Sequence, residues 1–170
     1  MALPIRFAYT DNGSGPPTKH YTLAASQTQT IGSPMKFASG LLSQAANAAA
    51  TATGLVGFAN TTNQSAFGFD YGDIPATEVV TGRVNTCAVT TATRDTTFYG
   101  QISTGTSAIV APAVTDIGVA YSLIKQSDNV WTVDRSNTSD VCVVVTDIDP
   151  TLYGTGVVFF KVRNASLSAL

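Results

Sequence analysis

Ile117-Gly118-Val119-Ala120-Tyr121-Ser122-Leu123, Val130-Trp131-Thr132-Val133-Asp134-Arg135, Val141 to Ile148 and Gly156 to Arg163 follow one another near the end of the chain. In the first run Ile117, Val119, Tyr121 and Leu123 alternate with small or polar residues, the period of a half-buried strand. Trp131 and Val133 repeat that alternation. Val141 to Ile148 is apolar on both faces over most of its length, as a central strand requires. Val158, Phe160 and Val162 alternate with Lys161 and Arg163. The connections, Gln126 to Asn129, Ser136 to Asp140 and Asp149-Pro150-Thr151, are short and rich in turn formers. Four strands joined this way predict an antiparallel C-terminal meander.

Working back from the meander, the β signal continues. Thr96 to Ser103 carries Phe98, Gly100 and Ile102 on one face, and Val79 to Val89 is rich in Val and Thr. Leu55-Val56-Gly57-Phe58-Ala59 reads as a buried strand. Met35 and Phe37 alternate with Lys36 and Ala38 before a Ser39-Gly40 turn, and Ile31-Gly32-Ser33-Pro34 is another turn. A short helix over Ala45 to Ala50 fits propensity alone. About eight short strands at this spacing predict an all-β domain, a small antiparallel barrel or sandwich.

Two segments stand apart from this pattern. Residues 1–25 hold Pro4 and the run Asp11-Asn12-Gly13-Ser14-Gly15-Pro16-Pro17, which breaks regular structure. Apolar and aromatic groups punctuate them, so they are expected to form an extended N-terminal arm that docks on the chain's own body or on a partner. Candidate contact residues are Leu3, Pro4, Ile5, Arg6, Phe7, Tyr9 and Tyr21. Residues 26–170 are then the β-rich domain, with a long polar loop at about 60–76. Loops longer than about 12 residues are usually functional. Phe67, Phe69 and Tyr71, interleaved with glycine, are loop-contact candidates or a plug for the end of a barrel.

Composition narrows the function. The chain has 170 residues, nine Lys and Arg, eleven Asp and Glu, and a formal net charge of −2. Charged residues are 12%, against about 25% in an average protein, and Thr, Ser, Asn, Gln and Gly take their place. The basic residues are scattered, which argues against nucleic acid and against a polybasic membrane contact. Met1 to Thr10 has neither a basic start nor a continuous apolar stretch, so synthesis in the cytoplasm is expected.

Little reactive chemistry is available. His20 is the one histidine, no Gly-x-Ser-x-Gly elbow exists, and Glu78 is the one glutamate. Asp70 with Asp73, and Asp147 with Asp149, sit in turn contexts; such oxygen pairs also offer calcium ligands, but without EF-hand spacing. Cys87 and Cys142 lie in strand-like runs and read as two buried thiols or one bridge between strands. Trp131 reads as a core anchor. The chain is expected not to be an enzyme and to need no cofactor or metal.

Ile31 to Leu42 with Leu55 to Ala59 forms one recognisable block. The Gly118-Val119-Ala120-Tyr121 and Trp131-Thr132-Val133-Asp134 elements, with Val141 to Asp149 and Val157 to Val162, form another. Together they resemble the capsid decoration (cement) proteins of tailed bacteriophages with an HK97-type capsid. The resemblance implies a structural virion protein on the outer capsid surface. It would bridge neighbouring major capsid proteins, stabilise the shell against DNA pressure and act as a homotrimer. An arm of spaced apolar residues suits strand addition to a partner's sheet. The alternative is a virion tail or fibre module that recognises a glycan through Phe67, Phe69 and Tyr71.

Overall fold

The computed structural model of the protein describes residues 2–24, 29–60, 86–106 and 108–168. In chain order the elements are β1 (Arg6–Thr10), β2 (Thr18–Thr22), β3 (Pro34–Ala38), β4 (Leu41–Gln44), α1 (Ala48–Thr51), β5 (Leu55–Ala59), β6 (Thr86–Thr91) and β7 (Thr96–Gly100). There follow β8 (Ile102–Ser103), β9 (Ile109–Val110), β10 (Ala120–Lys125), β11 (Trp131–Asp134), β12 (Val143–Asp149) and β13 (Val157–Val162). The larger sheet has eight strands in the order β1-β7-β13-β12-β10-β11-β8-β9, and the smaller has five in the order β2-β6-β5-β3-β4. The protein is an all-β, sandwich-like fold, and neither sheet closes into a barrel.

The sheets meet where alternation directs their largest apolar groups. Phe58 of β5 packs edge-on against Phe98 of β7 at 4.6 Å and against Phe160 of β13 at 6.0 Å. Ile102, Leu123, Trp131 and Val158 complete this core, all fully buried. Each such side chain contributes about 1.5–3 kcal/mol by leaving water. Trp131 is the core anchor its alternation with Val133 implied.

The smaller sheet has a second core on its other face, built from Leu23, Met35, Leu42, Val56 and Val89. A parallel bridge joins Leu23 to Leu42, and the Ala24 N–H donates to the Leu42 carbonyl at 2.8 Å. These contacts draw the sheet's edges together, so it curls around that core. β5 feeds both cores and is buried along its whole length. Gly57 is the point of closest approach in it: a Cβ there would lie 2.1 Å from the Thr90 carbonyl oxygen.

Sequence-derived elements largely recur, with three differences. The short helix forms one turn, α1, where the Asn47 side chain accepts from the Ala50 N–H at 3.0 Å. The C-terminal strands form the hairpins β10–β11 and β12–β13, but β12 pairs with β10 and not with β11. The connection after Asp134 passes back over β10, where the Ser122 N–H donates to the Asn137 carbonyl. The order is therefore 13-12-10-11, not that of a simple meander. Finally, the described part of the N-terminal segment is woven into the body. β1 pairs with β7 in one sheet and β2 pairs with β6 in the other. The Gly/Pro run between them carries the chain from sheet to sheet. The long loop expected at about 60–76 lies, apart from Asn60, outside the described residues.

Candidate functional site

Cross-strand register builds a row of outward-facing side chains on the larger sheet. Arg6 of β1 pairs with Tyr99 of β7, Tyr99 with Phe159 of β13, and Phe159 with Asp147 of β12. Their chain neighbours Ile5, Phe98 and Phe160 point into the core, so period-2 geometry sends this set to the other face. Tyr99 leans on Phe159 with centroids 6.2 Å apart. Tyr153, from the turn between β12 and β13, lies nearly parallel to Tyr99, with centroids 6.3 Å apart and an interplanar angle of 9°. The two hydroxyls are 3.4 Å apart. That hydrogen bond and burial push the Tyr99 hydroxyl pKa up, while Arg6 pulls it down.

Leu3, Pro4, Arg6, Tyr99 and Tyr153 line a cleft of about 240 Å³. Its walls are tied together. Gln101, itself buried, accepts from the Leu3 N–H at 2.8 Å and donates to the Thr155 hydroxyl at 2.5 Å. The turn carrying Tyr153 is fixed by the Asp149 carboxylate, which accepts from the Thr151 N–H, the Thr151 hydroxyl and the Leu152 N–H at 2.8–3.1 Å. The bonds from Thr151, against a small opposing effect of burial, hold the Asp149 carboxyl below its usual range. Tyr153 is 55% exposed and has a left-handed φ of +55°. Such backbone is uncommon for a residue with a side chain and occurs where the surroundings impose it.

The structure thus places Leu3, Pro4 and Arg6 together beside two tyrosines that sequence reading did not select. Ile5 is 1% exposed and belongs to the core. Phe7 is half-buried and pairs with Phe98. Tyr9 is 48% exposed, on the outermost strand. Tyr21 stands edge-on to Phe37 at 5.3 Å over the second core, in the other sheet, and does not join the cleft. Phe67, Phe69 and Tyr71 lie outside the described residues. The signal for Tyr99 was present as the neighbour of an inward Phe98. Tyr153 sits in a turn, where no periodicity marks it.

A second concavity, about 380 Å³, gathers Arg94, Lys161 and Arg163 around Val144 and Val162. Lys161 and Arg163 stand two residues apart in the sequence, and Arg94 joins them in space. Lys161 is paired with Asp11 at 2.5 Å, and Arg163 donates to the Val141 carbonyl at 3.2 Å.

The reactive side chains are spread out. His20 is exposed on β2, on the smaller sheet. Cys87 and Cys142 are buried thiols, not a bridge. Asp116 is buried among the Ala113 N–H, the Tyr121 hydroxyl and the Arg135 guanidinium, an arrangement that holds the chain entering β10. Asp149 is engaged in its turn, and Asp147 accepts from the Ile148 N–H. Among the described residues no three His, Cys, Asp or Glu side chains come close enough to hold a metal ion. No helix among them is long and apolar enough to cross a membrane. Comparison with known proteins returned no matching family model, no matching curated protein and no matching solved structure.

Proposed function

We propose that this chain is a structural virion protein, a capsid decoration protein that binds the outside of a tailed-phage shell and bridges neighbouring major capsid proteins. The observation that carries the reading is the open edge of β1. It is the outermost strand of the larger sheet, and among the described residues no strand pairs with its outer side. A strand edge offers a row of backbone donors and acceptors to another chain, and on β1 a bulge between Phe7 and Tyr9 divides that row. Here Tyr9 stands exposed beside it. Strand addition along β1 supplies register and main-chain bonds. Each such bond is worth only about 0.5–1.5 kcal/mol net. Repetition over a lattice turns that weak contact into firm binding. A hydroxyl-rich surface of low charge suits close packing of identical copies around a threefold axis, and a homotrimer on the shell is part of the proposal.

Ile5 and Leu23 are core residues, so deletion of the N-terminal segment would damage the fold and cannot test the edge. A point change can. Tyr9→Lys places a charge of the kind that natural edge strands use against pairing. Wild-type protein is expected to co-sediment saturably with expanded, undecorated heads and not with unexpanded ones. Tyr9→Lys is expected to lose most of that binding while His20→Lys, on the other sheet, keeps it. Absence of wild-type binding to either head form, or full binding by Tyr9→Lys, overturns the reading.

A further inference from the structure

We propose that Tyr99, Tyr153 and Arg6 form a binding site for one acidic sugar residue of a glycan. This goes beyond shell binding and does not rest on it. A pyranose has an apolar C–H face and a polar rim, and it needs a flat aromatic surface with hydrogen-bonding groups at the margin. Tyr153, 55% exposed and stacked on the nearly parallel Tyr99 ring, offers that surface, and the two hydroxyls, 3.4 Å apart, lie at its margin. Tyrosine suits such half-wet positions because its ring is apolar and its hydroxyl polar.

Charge selects the kind of sugar. Arg6 lines the same cleft, is exposed, and has no ion-pair partner among the described residues. None of the lining residues is a carboxylate. A guanidinium presents a planar fork of donors that matches a carboxylate with two parallel bonds. A hexuronic or sialic acid residue supplies both the ring to stack and the carboxylate to pair.

Size and rigidity agree. At about 240 Å³ the cleft falls below the roughly 300–1,000 Å³ of sites for drug-sized ligands, so it takes a single ring and not an extended peptide. Its walls are held before any ligand arrives, by Gln101 between Leu3 and Thr155 and by Asp149 under the Tyr153 turn. Preorganisation of this kind lowers the entropic cost of binding. Backbone strain at Tyr153 keeps an aromatic ring in the open, where it buries little of its own surface.

The test is titration calorimetry with saturation-transfer NMR on the intact protein, with no capsid present. The probes are tetragalacturonate, neutral maltotetraose and a proline-rich decapeptide. Saturable tetragalacturonate binding is expected, with transfer from tyrosine ring protons. Tyr153→Gly removes the ring and suits the left-handed backbone, and it is expected to weaken binding by about tenfold or more. Arg6→Gln is expected to weaken tetragalacturonate by about fivefold or more and to bring it level with maltotetraose. Thermal unfolding of both variants checks that the fold survives. Failure of tetragalacturonate to bind, binding unaffected by Tyr153→Gly, or preference for the peptide or the neutral sugar overturns the proposal.

Discussion

Gly32 lies directly against the backbone of Ile5: a Cβ on Gly32 would sit 2.5 Å from the Ile5 nitrogen and 2.7 Å from its carbonyl oxygen. Gly32 also has a φ of +83°. The turn before β3 is therefore a saddle over which the N-terminal segment runs, and Ile5 drops from it into the core. Gly32→Ala meets both a backbone clash and an unfavourable dihedral. It is expected to cost about 2 kcal/mol or more in urea unfolding. Limited proteolysis should then cut first near β1. A variant as stable as wild type, with no new cleavage, would show that the segment is not seated on this turn.

Asp116 is 3% exposed. Burial alone pushes its carboxyl up, but hydrogen bonds from the Ala113 N–H, the Tyr121 hydroxyl and Arg135 outweigh that and hold it below the usual range. A carboxyl more acidic in the folded than in the unfolded chain contributes stability that is complete above the unfolded value of about 3.9. That contribution is lost as pH falls through the folded value. Asp116→Asn is expected to lose about 1–3 kcal/mol at pH 7. The gap to wild type should close under acid, in unfolding curves followed from pH 7 to pH 2. A gap that stays constant would contradict the linkage.

The Cys142 thiol is pushed up to about 11 by burial, with smaller opposing effects from Thr51, Leu123 and Arg163. Thiolate is the reactive form, so at pH 8 this site is nearly inert while folded. Cys87 is equally inaccessible. Ellman's reagent is expected to find no rapid thiol in native protein and both in 6 M guanidinium. Rapid native reaction would mean the strands around Cys87 or Cys142 open readily.

Much of the fold was legible and its connectivity was not. Alternation marked the inward residues of β3, β7, β11 and β13, because facing a core is a property of single positions. It carries no information on which strand lies beside which, so β12 beside β10 was invisible. The N-terminal segment was ambiguous for a related reason. Its apolar spacing fits a strand on the body and a strand on a partner equally well, and only pairing with β7 and β6 decides. The cleft was half legible: Leu3, Pro4 and Arg6 were among the contact candidates of the N-terminal segment. Tyr99 and Gln101 join them only because β1 pairs with β7, and Tyr153 only because the β12–β13 turn folds down beside β7.

Tyr153→Gly gains backbone freedom at a left-handed position, worth about 1 kcal/mol, and loses a ring contact of about 0.5–1.5 kcal/mol. Its stability is expected to stay within about 1 kcal/mol of wild type. Tyr153→Val keeps the strain, adds β-branching and loses the ring, so it should fall clearly below both. Paired thermal melts check the order, and a valine variant as stable as the glycine variant would remove the case for strain at this turn.

Hydrogen exchange of the protein bound to expanded heads, compared with the protein alone, tests β1 as the shell-binding edge most directly. The expected result is slowed exchange in Arg6–Thr10, with β2 unchanged. Protection confined to other strands, or no bound protein to measure, would contradict it.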